Sequence, residues 1–194
     1  MVTQALDAGH EVTVLVRSPE KIPVRHARLH VTVGSVTDDD GALARAVTGH
    51  DAVLSALGRG TSFTSNGLIE ASVPPIVSAM RSAGVRRLIF TSAIGVGEAI
   101  EDAPIFSKIM VRLLLKDIYA DKAAGEALIR QSNLDWTVVQ PAQLTNGPLT
   151  RRYQVGDRLK LTGIPRISRA DLAHFLLAQL DDTAYVRNVA RIGY

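Results

Sequence analysis

Cysteine is absent from the 194 residues, and only 5% are aromatic. The first absence excludes disulfides, thiolate nucleophiles and cysteine-held metal, and agrees with a reducing cytoplasm. The second, beside 46% hydrophobic content, describes an aliphatic interior. No apolar run is long enough to cross a bilayer, since the longest, Ile109 to Leu115, is interrupted by Arg112. The start of the chain lacks a basic segment followed by an apolar signal core. Neither sign of charge dominates: 22 basic against 19 acidic side chains leave +3, too little and too dispersed to describe a nucleic-acid or membrane surface. The five histidines, His10, His26, His30, His50 and His174, show no metal-ligand spacing, so no metal is expected. These exclusions leave one cytoplasmic domain over residues 1–194 as the expectation.

What is present alternates between strand-like and helix-like segments with no linker or repeat, the pattern of a parallel sheet flanked by helices. Val2 to Ala8 reads as a helix stopped by Gly9, and Glu11 to Val16 as a β-branched strand. Leu29 to Val33 is a second strand. Asp40 to Val47 is a helix with N-cap oxygens at Asp38 to Asp40 and a stop at Gly49. Asp51 to Leu57 is a strand ending at Gly58. Val73 to Ala83 reads as a helix, with Pro74 and Pro75 in its first turn and Gly84 closing it. Arg87 to Ser92 is a buried strand. Ile105 to Lys116 and Asp121 to Gln131 are helices, and Trp136 to Val139 is a strand that ends at Pro141. Arg169 to Leu180 is a helix with Ser168 and Asp171 spaced as a capping box, and Tyr185 to Ile192 is a final strand.

A nucleotide-binding βαβ unit opens with a strand and a glycine-rich turn whose N–H groups hold a pyrophosphate. Neither precedes Gly9, so the chain reads as beginning mid-motif. In the usual strand order 3-2-1-4-5-6 the first strand is central. The expectation is therefore a natural product that starts upstream, and a 194-residue chain that folds poorly alone.

Ligands of open parallel sheets collect at the carboxyl ends of strands. The first such end is Arg17, Ser18 and Lys21, a guanidinium and a hydroxyl where an acid would meet the ribose of NAD; this charge suits the 2′-phosphate of NADP. The alternative is a solvated basic turn. Ser35 and Val36, after Gly34, stand where an adenine would lie. Ala56, Leu57 and Gly58 let a ribose or phosphate approach the backbone, or serve an ordinary turn, and run into Arg59 to Ser62. Thr91 and Ser92 place two hydroxyls at the mouth of an apolar strand, where one can orient a carbonyl or an amide. Pro141, Ala142, Gln143 and Leu144 would close over a nicotinamide. Ser92 has no histidine base visible in the sequence, which argues against a hydrolase triad.

The words AGHEVTVLVRSPEKIP, VTVGSVTD, DAVLSALG, VSAMRSAGVRRLIFTSA, LIRQSNLDWTVVQP, GPLTRRYQV and RISRADLAHFLLAQL occur in an order that spans nearly the whole chain. In this the chain resembles the atypical short-chain dehydrogenase/reductases with an NAD(P)-binding NmrA-like domain, most of all the biliverdin IXβ reductase/flavin reductase group. The resemblance implies a Rossmann-like doubly wound parallel sheet in three α/β/α layers, here without its first strand and glycine-rich loop. It also implies NADPH as cofactor, with Arg17 and Lys21 on the 2′-phosphate, Ser35 and Val36 by the adenine, and Leu57, Gly58, Ser92, Pro141 and Leu144 near the nicotinamide. Lys122 would hold the nicotinamide ribose. Where this family often carries aspartate, the chain has Ser35.

Classical members of that superfamily place a tyrosine four residues before a lysine. Here Ile118 has that spacing from Lys122, and Tyr119 lies three residues before it. No tyrosine acid is expected. Glu126, four residues after Lys122, is placed to pair with it. The resulting expectation is an NADPH-dependent reductase, monomeric or weakly dimeric, passing hydride to a flavin, tetrapyrrole or quinone, with Ser92 and Lys122 at the centre. The alternative is a non-catalytic NADP(H)-sensing regulator of the NmrA-like type.

Overall fold

Two short β-branched runs pair first: β1 (Val12–Val16) lies parallel to β2 (Leu29–Val33). They follow helix α1 (Val2–Asp7), whose exit turn is made by Gly9 at φ +96°. A second sheet runs β3-β4-β5-β9-β7. Its first four strands, β3 (Ala52–Ser55), β4 (Arg87–Thr91), β5 (Asp135–Pro141) and β9 (Asn188–Gly193), are parallel. β7 (Gln154–Gly156) adds antiparallel to β9, and β6 (Gln143–Thr145) with β8 (Arg166–Ser168) forms a small parallel pair. Four helices complete the description: α2 (Ala42–Val47), α3 (Leu68–Ser82), α4 (Lys116–Gln131) and α5 (Arg169–Ala178). The computed structural model describes residues 1–38, 41–58, 64–97, 115–157, 159 and 165–194. Among these, no helix is long and apolar enough to cross a membrane.

The expected mixed α/β arrangement with a mainly parallel sheet is what the chain adopts. The hydrogen-bonded ladder is interrupted between β1 and β3, which are instead tied near their entrances by His50 Nε2 and Thr13 Oγ1 at 2.8 Å.

Alternation along the strands builds one core on each face of the larger sheet. Leu88, Phe90, Trp136 and Val138 point to the face covered by α3 and α4, where Ile69, Val73, Met80 and Ile129 meet them. Ile89, Val139, Ala190 and Ile192 point to the other face, against Leu172, Phe175 and Leu176 of α5. Helices on both sides of a parallel sheet make the three layers.

Several boundaries differ from expectation, that of α3 for a tertiary reason. Helix α3 begins at Leu68, so Pro74 and Pro75 lie inside it rather than in its first turn. Its start is stabilised from a distance: the Asp121 carboxylate accepts the N–H groups of Ile69 (3.0 Å) and Glu70 (2.8 Å). An acidic group satisfying the orphan donors of a helix N-terminus does what a local cap would do. Helix α4 starts at Lys116 rather than Asp121. The expected helix Ile105 to Lys116, except for its last residues, lies outside the described residues, as do Arg59 to Ser62. Asp39 and Asp40 of the expected cap also lie outside them, and α2 has Gly41 as N-cap. Strand β3 stops at Ser55 and β4 at Thr91, whereas β5 runs on through Pro141.

Helices α3 and α4 cross at Gly125, because a Cβ there would stand 2.6 Å from the Ile69 Cγ2 methyl. That methyl belongs to a β-branched side chain with little rotamer freedom in a helix. Gly125→Ala is therefore expected to lower stability by about 1–3 kcal/mol in chemical denaturation, despite the roughly 1 kcal/mol that alanine gains over glycine in a helix. A stabilised variant would contradict this close approach.

Candidate functional site

Three hydroxyls gather at the carboxyl ends of β3 and β4. Ser55 ends β3 opposite Phe90, Thr91 ends β4, and Ser92 follows, its N–H donating to Val139 O at 2.7 Å. They are only 6%, 8% and 4% exposed, respectively, and their oxygens have no hydrogen-bond partner among the described residues. Each buried orphan costs about 1–3 kcal/mol. At neighbouring strand tips such orphans suit a guest with its own donors and acceptors, met by Ser55 and Ser92 on one side of the sheet and by Thr91 on the other. Strand alternation sends Ser55 and Ser92 to the α4 face and Thr91 to the α5 face. Ser55 was not singled out by the sequence reading; a hydroxyl inside an otherwise apolar parallel strand was the available signal.

Helix α4 lays one face over the segment that follows β4. Tyr119, Lys122 and Glu126 are spaced to share that face. Tyr119 donates its hydroxyl to Ile94 O at 3.0 Å, and Gln140 Nε2 donates to Glu126 Oε1 at 2.9 Å. Lys122 sits between them. Burial pushes its pKa below the ordinary lysine value, opposed by the charges of Glu126 and Asp121. Burial likewise pushes the Tyr119 phenol up, and its proton is engaged by the Ile94 carbonyl. Glu126 is buried and pairs forward with Arg130 at 3.1 Å, not with Lys122 as its spacing suggested. The Gln140 amide supplies its second partner.

The basic turn after β1 holds Arg17, Ser18 and Lys21, with Pro19–Lys21 in a single 3₁₀ turn. Arg17 and Lys21 are exposed and make no ion pair among the described residues. Ser35 turns its hydroxyl onto Thr37, accepting from the Thr37 N–H at 3.3 Å, and Val36 packs with Leu57 on the α3/α4 core. Ala56 and Gly58 are exposed beyond β3. Pro141 completes the β5 ladder and Ala142 is buried in the α5-side core, whereas Leu144 is exposed. The structure thus brings Thr91, Ser92 and Lys122 to one end of the larger sheet, near Pro141 and Leu144, and leaves Arg17, Ser18 and Lys21 on the smaller one.

Beyond β5 the chain is held by Asp171. Ser168 caps α5 as expected, accepting the Asp171 N–H at 2.9 Å. The Asp171 carboxylate does not return to the cap. It accepts from Thr150 N–H and Oγ1 (2.8 and 2.7 Å), from Arg151 N–H (2.7 Å) and from the Tyr194 hydroxyl (2.6 Å). Burial alone would raise its pKa, but these hydrogen bonds prevail and hold it at about 2. They also fix Arg151 at φ +57°, a left-handed conformation that costs a non-glycine residue roughly 1–2 kcal/mol.

Comparison with known proteins gives a consistent picture. A family model described as NAD(P)H-binding matches residues 1–183. The UPF0659 protein YMR090W of Saccharomyces cerevisiae is 30% identical over 157 residues, covering 75% of this chain and 65% of its own length. The chain therefore spans less than two thirds of that curated relative. ChuY, an anaerobillin reductase from Escherichia coli O157:H7, superposes with a TM-score of 0.78 at 18% identity, over 98% of this chain and 88% of its own. A wide-type short-chain dehydrogenase/reductase from Veillonella parvula, solved in complex with NADP, gives 0.78 at 23% identity, over 100% and 88%. At such identities the likeness establishes the Rossmann-like fold.

Proposed function

Because the chain belongs to the NAD(P)H-binding family, we propose that it is an NADPH-dependent reductase whose acceptor is a flat conjugated molecule such as a flavin, tetrapyrrole or quinone. The observation that carries this reading is the set of buried hydroxyls without partners at the tips of β3 and β4, with the half-buried Lys122 over the same end. Supporting it, the fold neighbour ChuY is described as an anaerobillin reductase and the Veillonella protein holds NADP.

Bound NADPH supplies the hydride. Arg17 and Lys21 offer cations for a 2′-phosphate, with Ser18 as a further donor, and Ser35 and Val36 border the adenine. Ala56, Leu57 and Gly58 admit the ribose and phosphates close to the backbone. Ser92 orients the carboxamide or an acceptor carbonyl, assisted by Thr91, while Lys122 donates to ribose hydroxyls. Pro141, Ala142 and Leu144 close the nicotinamide side. With Tyr119 engaged by Ile94, water supplies the proton that matches the hydride. The engagement of Tyr119 also favours a second reading, an NADP(H) sensor without turnover.

Mixing NADPH and a flavin with the chain, extended by the strand and glycine-rich turn expected ahead of Gly9, separates the two. Acceptor-dependent loss of NADPH absorbance is expected of the reductase. NADPH binding with no such loss would favour the sensor, and no binding would refute both.

A further inference from the structure

Building on the reductase reading, we propose that the acceptor carries an anionic tail, a carboxylate or phosphate, and that Arg151 and Arg152 hold it beside the planar ring.

The placement follows from the ladders. β9 runs parallel to β5, so Ile192 lies beside Pro141 at the carboxyl end of the sheet. Tyr194, two residues on, donates its N–H to Arg166 O and its hydroxyl to Asp171. Gln143 of β6 stands opposite Arg166 of β8. The loop that Asp171 grips through Thr150 and Arg151 therefore belongs to the same end as Ser92 and Pro141.

That loop has the surface of an anion-tailed ring's binding shelf. Leu144 and Leu149 are 37% and 39% exposed, the apolar part. Arg151, Arg152 and Arg166 are exposed around them, and none makes an ion pair among the described residues. Residues 143–154 and 165–170 contain no acidic side chain at all. The nearest carboxylate, Asp171, is fully buried and accepts two hydrogen bonds on each oxygen, all from neutral donors. It organises the backbone beneath the arginines, and its oxygens are taken by neutral donors rather than by a guanidinium.

A guanidinium pair on a backbone fixed from below suits a carboxylate or phosphate, which it can meet with paired charge-assisted hydrogen bonds. Fixing Arg151 in the left-handed region sets the direction of its Cα–Cβ bond before any ligand arrives, which removes the backbone's share of the ordering cost of binding.

FMN and riboflavin share one ring system and differ by a phosphate. Their binding to the 194-residue chain, followed by flavin fluorescence without NADPH, tests the inference. FMN is expected to bind at least about tenfold more tightly, with the preference shrinking as salt rises. R151A/R152A should bring FMN to the riboflavin value, and R151K/R152K should retain part of the preference. Thermal melts of the variants confirm that they remain folded. Equal binding of the two flavins, or a preference that survives R151A/R152A, overturns the inference. In that case NADPH-dependent reduction of riboflavin still upholds the reductase reading. Failure of both flavins to bind or be reduced strikes the reading and the inference together.

Discussion

Asp171→Ala is expected to destabilise the chain by about 3–5 kcal/mol, because it leaves two backbone N–H groups and two hydroxyls without the buried carboxylate that accepts from them. The effect has a pH signature. The folded pKa is about 2 against an ordinary 3.8, so the folded state favours the charged form. A depressed carboxylate contributes its stability above the unfolded pKa and loses it as pH falls toward the folded one. Here that contribution is about 2 kcal/mol, fully present above roughly pH 5 and declining through pH 4 toward 2. Urea denaturation of wild type and Asp171→Asn at a series of pH values checks it. The stability gap should narrow as the solution is made more acidic, and a gap that stays constant from about pH 6 to 3 would contradict the assignment.

The second large effect concerns cofactor choice. Arg17→Ala combined with Lys21→Ala should weaken NADPH binding by about a hundredfold or more, since each charge-assisted hydrogen bond to a phosphate contributes roughly 1.5–3 kcal/mol. NADH, which lacks the 2′-phosphate, should bind the variant almost as it binds wild type. Both side chains are exposed, so the variant is expected to melt as wild type does, and affinity can be read without a folding correction. Isothermal titration calorimetry with each nucleotide gives the ratio. An equal fall for both nucleotides would show that this turn meets a part common to the two, and the assignment of a 2′-phosphate pocket would be lost.

How much of this was legible in the chain varied with the range of the interactions. Runs such as VTVLV and RLIFT announce buried parallel strands through local β-branched and apolar density, and β1, β2 and β4 fall where that density predicts. The start of α3 does not, because the group that satisfies its first N–H donors, Asp121, is more than fifty positions away in the chain. Local reading instead assigned the start to the two prolines. β6, β7 and β8 are three residues each, too short for a period of two to show. Their pairing depends on β9 and on each other. At the site, Thr91 and Ser92 were visible as hydroxyls at the end of an apolar run. Ser55 was hidden two residues inside its run, since only the observed end of β3 reveals it as a tip. The Ser168 cap was readable from spacing to Asp171. Asp171's carboxylate was not, because the donors that claim it come from the loop and from the final residue.

Trp136 is the only tryptophan of the chain and is buried at the start of β5, on the α3/α4 side. The candidate site lies at the opposite end of that strand. The molecule consequently carries a built-in optical gauge of its own unfolding, one that sits away from the rim where a guest would enter. A red shift of its emission would report loss of the interior, whatever occupies that rim.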